Sequence, residues 1–311
     1  MITVIEQPRS TRLVTLARVK RALGFTDDNE DRDTRLLDQI DDVSSAIVAY
    51  CGRTFARDYV VENMTSAGRT VLSLDRTPTL RIDAVSFGPV TDENVALNPS
   101  GYSIIDREAG FLGRDGELWD STLPVQTWIT PQVVNMPGQP EWYIRYTGGY
   151  LMPEDSFSAS GVVVAHASDN SFEMTGSDKW PLLVSGEQIR FTGFATSGNN
   201  GTHVVVSRTE DRLYVTSTLT HEIASGVVNI SVDILGNGML PRDLQRLAIQ
   251  EISAGYFSEQ RDNDIKSEKI GDWSASYGGS SSSSGGSDGE MYTGGLSTKV
   301  ANGLRRYMRI M

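Results

Sequence analysis

Apolar residues recur at helical spacing in four stretches and alternate in most of the remainder, which predicts an α+β protein. Leu16, Val19, Ala22 and Leu23 mark the inward side of a short helix, with Thr15 placed to cap it and Gly24 to stop it. Leu36, Ile40, Val43, Ile47 and Tyr50 form one apolar face over five turns. The acids from Asp27 to Asp31 lead that helix, where they suit the positive end of its dipole, and Gly52 ends it. A third helix starts at Pro241, whose missing N–H costs nothing in a first turn, and carries Leu244, Leu247, Ala248, Ile252 and Tyr256 as its stripe. The fourth is short: Ser297 is placed to cap it, and Val300, Leu304 and Tyr307 share a side.

Between the second and third helices the pattern is that of strands. Tyr59 to Val61, Thr70 to Leu74, Leu80 to Val85 and Trp142 to Tyr146 are short and largely alternating, and Tyr102 to Leu112 reads as a hairpin around Asp106 to Gly110. The run Tyr146-Thr147-Gly148-Gly149-Tyr150 ends a strand, and Gly238-Met239-Leu240-Pro241-Arg242-Asp243 opens a helix. Such segments ordinarily follow one another directly. Here residues 156–236 separate them and offer six more strand candidates: Gly161 to Ala165, Ser171 to Met174, Gln188 to Thr192, His203 to Ser207, Leu213 to Thr216 and Gly226 to Val232. Asn199-Asn200-Gly201 adds a tight-turn signal. The expectation is a host domain of residues 1–155 and 237–277, interrupted by an all-β small barrel or sandwich at 156–236.

Residues 278–295 are mostly Gly and Ser and predict a flexible linker. Beyond it, 296–311 holds Lys299, Arg305, Arg306 and Arg309 and no acid, although the whole chain carries −12. A short amphipathic helix on such a tether does not hold its shape alone, so it is expected to dock on something. The acidic balance argues against a protein built to grip nucleic acid. No apolar run is long enough to span a membrane, and residues 1–25 lack the core of a signal peptide. The lone Cys51 excludes an internal disulfide framework and reads as a small buried residue at a helix end.

Candidate chemistry is sparse. Asp27, Asn29, Asp31 and Asp38 fit positions of a calcium loop, but Arg32 replaces the turn glycine and Asp38 the final Glu, so helix capping is favoured. His166, His203 and His221 lack companions at metal-ligand spacing. No serine sits in a nucleophile elbow, and the glycines of 193–201 lack a phosphate-reaching lysine. Trp180 and Tyr214 offer faces for stacking on sugar, with core packing the commoner fate. The reading is of a protein without catalytic residues, metal or cofactor.

With 156–236 set aside, the chain resembles the head-to-tail connector (adaptor) proteins of tailed bacteriophages. The likeness rests on Leu13-Val14-Thr15-Leu16-Ala17-Arg18-Val19-Lys20-Arg21-Ala22-Leu23-Gly24, on the helix Asp33 to Tyr50 closing on Cys51-Gly52-Arg53-Thr54-Phe55, and on Leu240-Pro241-Arg242-Asp243-Leu244. The phrase Ser267-Glu268-Lys269-Ile270-Gly271-Asp272-Trp273 and the Tyr146 to Tyr150 strand end fit as well. The matched pieces cover a little under half of the chain. The resemblance implies a structural protein of the virion neck, made in the bacterial host cytoplasm. It would have a helical connector core, form a homo-oligomeric ring of about twelve copies beneath the portal protein, and meet a tail or stopper protein below. DNA would pass through its channel without specific binding, and no membrane is involved. The basic helix would anchor to the portal through Lys299, Val300, Leu304, Arg305, Arg306, Tyr307 and Arg309. A tail or baseplate component, or a carbohydrate-binding surface protein built on the inserted strands, are the alternatives.

Overall fold

A computed structural model describes residues 1–65, 67–87, 96–115, 119–120, 142–159, 162–175, 178–224, 226–232, 238–259, 267–270, 273–276 and 296–308. The chain is a mixed α and β fold with large antiparallel sheets and few helices. It divides into two compact units, Met1–Ser10 with Thr54–Met239 and Thr11–Arg53 with Leu240–Met311. The strand-rich region after the second helix therefore groups with the residues that follow it.

In the β unit, β1 (Ile2–Glu6), β2 (Asp58–Met64), β9 (Trp142–Gly148) and β5 (Thr79–Phe87) form a four-stranded antiparallel sheet in the order β1-β2-β9-β5. Small sheets flank it: β3 (Ala67–Arg69) with β8 (Trp119–Asp120), and β4 (Val71–Ser73), β7 (Phe111–Arg114) and β6 (Tyr102–Asp106). The hairpin expected around Asp106 to Gly110 is the β6–β7 pair, with Ile104 opposite Leu112. Alternation turns Val60, Leu72, Val85, Leu112, Ile144 and Tyr146 into one core, where Trp119 meets Trp142 edge to face at 5.1 Å. Strand β1 was not among the sequence expectations. Three of its five residues are exposed, so it lacks the alternation that reveals a half-buried strand.

The remaining strands make an eight-stranded antiparallel sheet. They are β10 (Phe157–Ala159), β11 (Val162–His166), β12 (Ser171–Thr175), β13 (Gln188–Thr192), β14 (Gly201–Arg208), β15 (Arg212–Val215), β16 (Glu222–Ile223) and β17 (Val228–Ser231). Their order is β10-β17-β13-β14-β15-β12-β11-β16. Period-two burial gathers Val163, Ala165, Phe172, Met174, Ile189, Phe191, Val205, Leu213, Val228 and Ile230 into a second core. Phe172 stacks on Phe191 at 4.1 Å.

The second unit contains α1 (Leu16–Leu23), α2 (Glu30–Cys51), α3 (Arg242–Glu259), the hairpin of β18 (Ser267–Ile270) and β19 (Trp273–Ser276), and α4 (Thr298–Leu304). The Thr15 hydroxyl accepts from the Arg18 N–H at 3.3 Å, and Gly24 takes the left-handed conformation with φ of 81°. Asn29 caps α2 by accepting from the Arg32 N–H at 3.0 Å. Leu36, Ile40 and Ile47 are buried as the period requires, together with Ser44, whose hydroxyl accepts from the Leu13 N–H. Ala22 is exposed, against expectation, because α1 has two turns and only Val19 among its residues is fully enclosed.

Candidate functional site

The features that distinguish this chain lie where its segments are tied together and where its charges are exposed. The first is a buried arginine. Arg57 is 1% exposed, and its guanidinium donates to the Leu182 carbonyl at 2.9 Å, to Glu187 Oε2 at 2.7 Å, and more distantly to the Gly238 and Gly149 carbonyls. Its own N–H donates to the Tyr150 carbonyl, while the Tyr150 N–H donates to the Phe55 carbonyl. The Leu151 N–H donates to the Gly238 carbonyl at 2.7 Å. Thus the chain leaving β9 at Leu151 and the chain returning at Gly238 are neighbours, with the whole eight-stranded sheet between them in sequence. The planar guanidinium, with five fixed donors, suits a point where several carbonyls converge.

The two glycines at this point are required by close approach. A Cβ on Gly148 would lie 2.3 Å from the Arg76 carbonyl oxygen. At Gly149, φ is +98° and a Cβ would fall 2.6 Å from the Ala56 carbonyl oxygen. Asp155 lies in the same neighbourhood, accepting from the Met152 N–H at 2.7 Å. Burial pushes its carboxyl up to about 6, a rise that the Met152 N–H and the positive charges of Arg57 and Arg9 only partly oppose. Beside β9, Tyr146 donates to Glu62 at 2.6 Å and Arg76 pairs with Asp58 at 2.9 Å, so that core also holds a buried polar network.

A cleft of about 660 Å³ runs between residues 5–9 and 178–182 of the β unit, with Tyr59 and Glu210 in its wall. Its charges are committed to one another. Arg9 donates to the Lys179 carbonyl and lies over the Phe157 ring at 3.6 Å, Lys179 pairs with Glu210, and Glu6 pairs with Arg208. Trp180 lines this cleft but is 1% exposed and donates its indole N–H to the Asp211 carbonyl, so it is no sugar platform; Tyr214 is half-buried.

The Asn199-Asn200-Gly201 signal is not a tight hairpin turn. Asn199 is buried, and its amide exchanges two 2.9 Å hydrogen bonds with the backbone of Thr220, acting as a substitute peptide group. Asn200 accepts from the Phe194 N–H and donates to the Phe194 carbonyl. Glu222 accepts from the N–H groups of Ala195 and Thr196. The loop is therefore pinned by side chains, which short-range turn preferences do not reveal. His203 is buried edge-on against Phe172 and Phe191, and burial lowers its pKa. His166 bonds Glu173 at 2.8 Å, and His221 is 5.8 Å from it, centroid to centroid. Asp27 pairs with Arg32 rather than joining Asn29 in a loop. Among the described residues no group of three His, Cys, Asp or Glu side chains is placed to hold a metal, and no helix is long and apolar enough to cross a membrane.

The residues expected to dock on a portal divide sharply. Val300 and Leu304 are fully buried in the helical unit, with Leu296 and Ala301. Gly303 lies so close to Leu247 that an added Cβ would fall 2.8 Å from it. Ser297 occupies the cap position, yet its hydroxyl donates to Glu251 at 2.6 Å while its N–H donates to the other Glu251 oxygen at 3.0 Å. The apolar face of α4 is thus consumed within its own chain. Arg306 pairs with Asp243 at 2.7 Å, Tyr307 is half-buried, Lys299 and Arg305 are exposed, and Arg309 and the 278–295 linker lie outside the described residues.

No family model and no curated protein matches the chain. Among solved structures, the neck of an empty gene transfer agent particle, determined with C6 symmetry, contains a chain similar to half of this one. The likeness has a TM-score of 0.35 at 15% identity and covers 50% of this chain and 76% of that one. The virion of the native particle and its neck determined with C12 symmetry give TM-scores of 0.33, again at 15% identity and 50% of this chain, with 77% and 75% of those chains covered.

Proposed function

We propose that this chain is a structural neck protein of a tailed-phage-like particle, an adaptor that joins the head portal to the tail as an oligomeric ring. The observation that carries the reading is the junction at Leu151 and Gly238. The sequence pieces that resemble the connectors run up to Tyr150 and resume near Leu240, and the fold ties these ends together by a 2.7 Å hydrogen bond and the Arg57 guanidinium. The eight-stranded sheet is then an insertion into a connector core at a point where little backbone is disturbed. With a net charge of −12, a ring of such chains repels DNA phosphates and lets a duplex slide through.

Portal attachment falls to the cations of the tail, the exposed Lys299, Arg305 and Arg306 together with Arg309, each modest and multiplied around a ring. Val300 and Leu304 serve to hold that tail in place. Native mass spectrometry of the full chain mixed with the portal ring of the same particle tests the reading. A discrete mass gain of one ring of copies is expected, and Lys299→Glu with Arg305→Glu should weaken it. A folded chain that adds no mass at concentrations above those of assembly overturns it.

A further inference from the structure

The charges of the helical unit fall into two groups. Some are paired at home: Lys20 holds Asp28 and Asp33, Arg32 holds Asp27, and Arg12 holds Asp41 on α2. On the solvent face of α2, opposite the buried line of Leu36, Ile40 and Ile47, Asp38 and Asp42 are exposed and carry no ion pair among the described residues. Asp31 and Arg35 precede them on that face, one acid and one cation, so by formal charge the face is acidic overall.

The outer face of α3 has the opposite sign and the same spacing. Arg242 and Arg246 are exposed, four residues apart, and carry no ion pair among the described residues. Farther along that face Phe257 is 50% exposed, a large apolar side chain where a solvated helix would carry a polar one. Both pairs span one helical turn, about 6 Å. Two carboxylates and two guanidiniums at matched separation meet as a pair of forked ion pairs when the helices lie side by side.

We propose that the acidic strip of α2 in one copy seats on the Arg242, Arg246 and Phe257 strip of α3 in a second copy. The occupant is another copy of this chain because the two complementary strips belong to one unit and lie on different helices. Each contact then uses one strip from each partner and leaves the other free, the head-to-tail arrangement from which rings are built when the rotation between copies closes. A nucleic acid is the poorer fit: Asp243 stands beside Arg242 on the same turn, and an apolar ring follows where a phosphate-tracking surface would continue with cations. The proposal rests on the ring reading above and names the subunit contact within it.

Sedimentation velocity of the full chain, at low and high salt and without portal, tests it. The wild type should self-associate at low ionic strength and dissociate as salt screens the strips. Asp38→Lys with Asp42→Lys, and separately Arg242→Glu with Arg246→Glu, should each weaken association by about tenfold or more. All four positions are exposed, so far-UV circular dichroism should be unchanged. An equimolar mixture of the two double variants should associate again, because each now complements the other. Indifference of association to both reversals, failure of the mixture to recover, or a wild type that stays monomeric at low salt overturns the assignment. So does loss of duplex DNA binding as the only effect of the arginine changes. A chain that joins the portal ring but ignores both reversals keeps the neck reading and loses these faces. One that self-associates through them but ignores the portal does the reverse.

Discussion

The loops of the eight-stranded sheet and the outer faces of α2 and α3 treat polar side chains in opposite ways. In the sheet, Asn199, Asn200, Glu222, Trp180 and Glu187 turn inward to loops and satisfy backbone groups. In the helical unit, Asp38, Asp42, Arg242, Arg246 and Lys299 are exposed and carry no ion pair among the described residues. The sheet is finished as it stands. The outer faces of the helices present surface charge that the proposed subunit contact would use. A stability defect is therefore expected from changes to buried polar ties in either region, and an assembly defect from changes to these exposed charges of the second.

The largest stability effect should come from Arg57. Removing it as Arg57→Ala leaves Glu187 without its charge partner and two carbonyls without a donor, a loss of about 3–5 kcal/mol in chemical denaturation. Replacing both partners, Arg57→Met with Glu187→Leu, should recover much of that loss, because no charge is then stranded. A small effect for Arg57→Ala would mean that the knot is not what fixes the junction.

Next in size is the latch on α4. Glu251→Ala strands two buried donors of Ser297 and should cost about 1–3 kcal/mol. Hydrogen exchange should accelerate at residues 297–304, while amides of the eight-stranded sheet keep their protection. Uniform acceleration across the chain would contradict the separation of the two regions.

Acidity offers a finer probe, since two groups of the β unit act in opposite senses. His203 titrates below its ordinary 6.5 when folded, so the unfolded chain takes up its proton first. Its contribution is whole above that pH and is lost as pH falls through it. Asp155, raised from 3.8 to about 6, is the reverse: the folded chain binds its proton first, and stability falls as pH rises through that interval. His203→Phe should flatten the acid limb of the stability profile, and Asp155→Asn should remove the decline toward neutral pH. Identical profiles for both variants would show that neither burial shift operates.

The helices were legible in the sequence because their boundaries are set locally. Thr15, Gly24, Asn29 and Gly52 act within one turn, and the apolar period of α2 survives in the fold. Most strands were legible for the same reason, as one buried face imposes alternation. The ties were not. Arg57 reaches residues 125 and 130 positions away, and Glu251 reaches 46. Nothing in the local pattern of Ala-Arg-Asp or Gln-Glu-Ile separates them from surface charge. The amphipathic side of α4 is visible in the sequence, but periodicity names a face to be covered and not what covers it: Val300 and Leu304, expected to dock on a partner, are buried in the fold, with Gly303 close against Leu247.

The smallest stability effect is the one that makes the contrast sharpest. Asp38→Asn with Asp42→Asn removes two exposed charges that carry no ion pair among the described residues, and the melting temperature should move by no more than about 2 °C. Arg242→Gln with Arg246→Gln should behave alike. If these pairs leave the melt unchanged while lowering self-association, their charges serve an interface, because a side chain that contributes nothing to its own fold has no other route to an effect on assembly. A melt that drops as far as that of Glu251→Ala would instead make the strips part of the helical core, and the division between a finished sheet and an unfinished helical surface would fail.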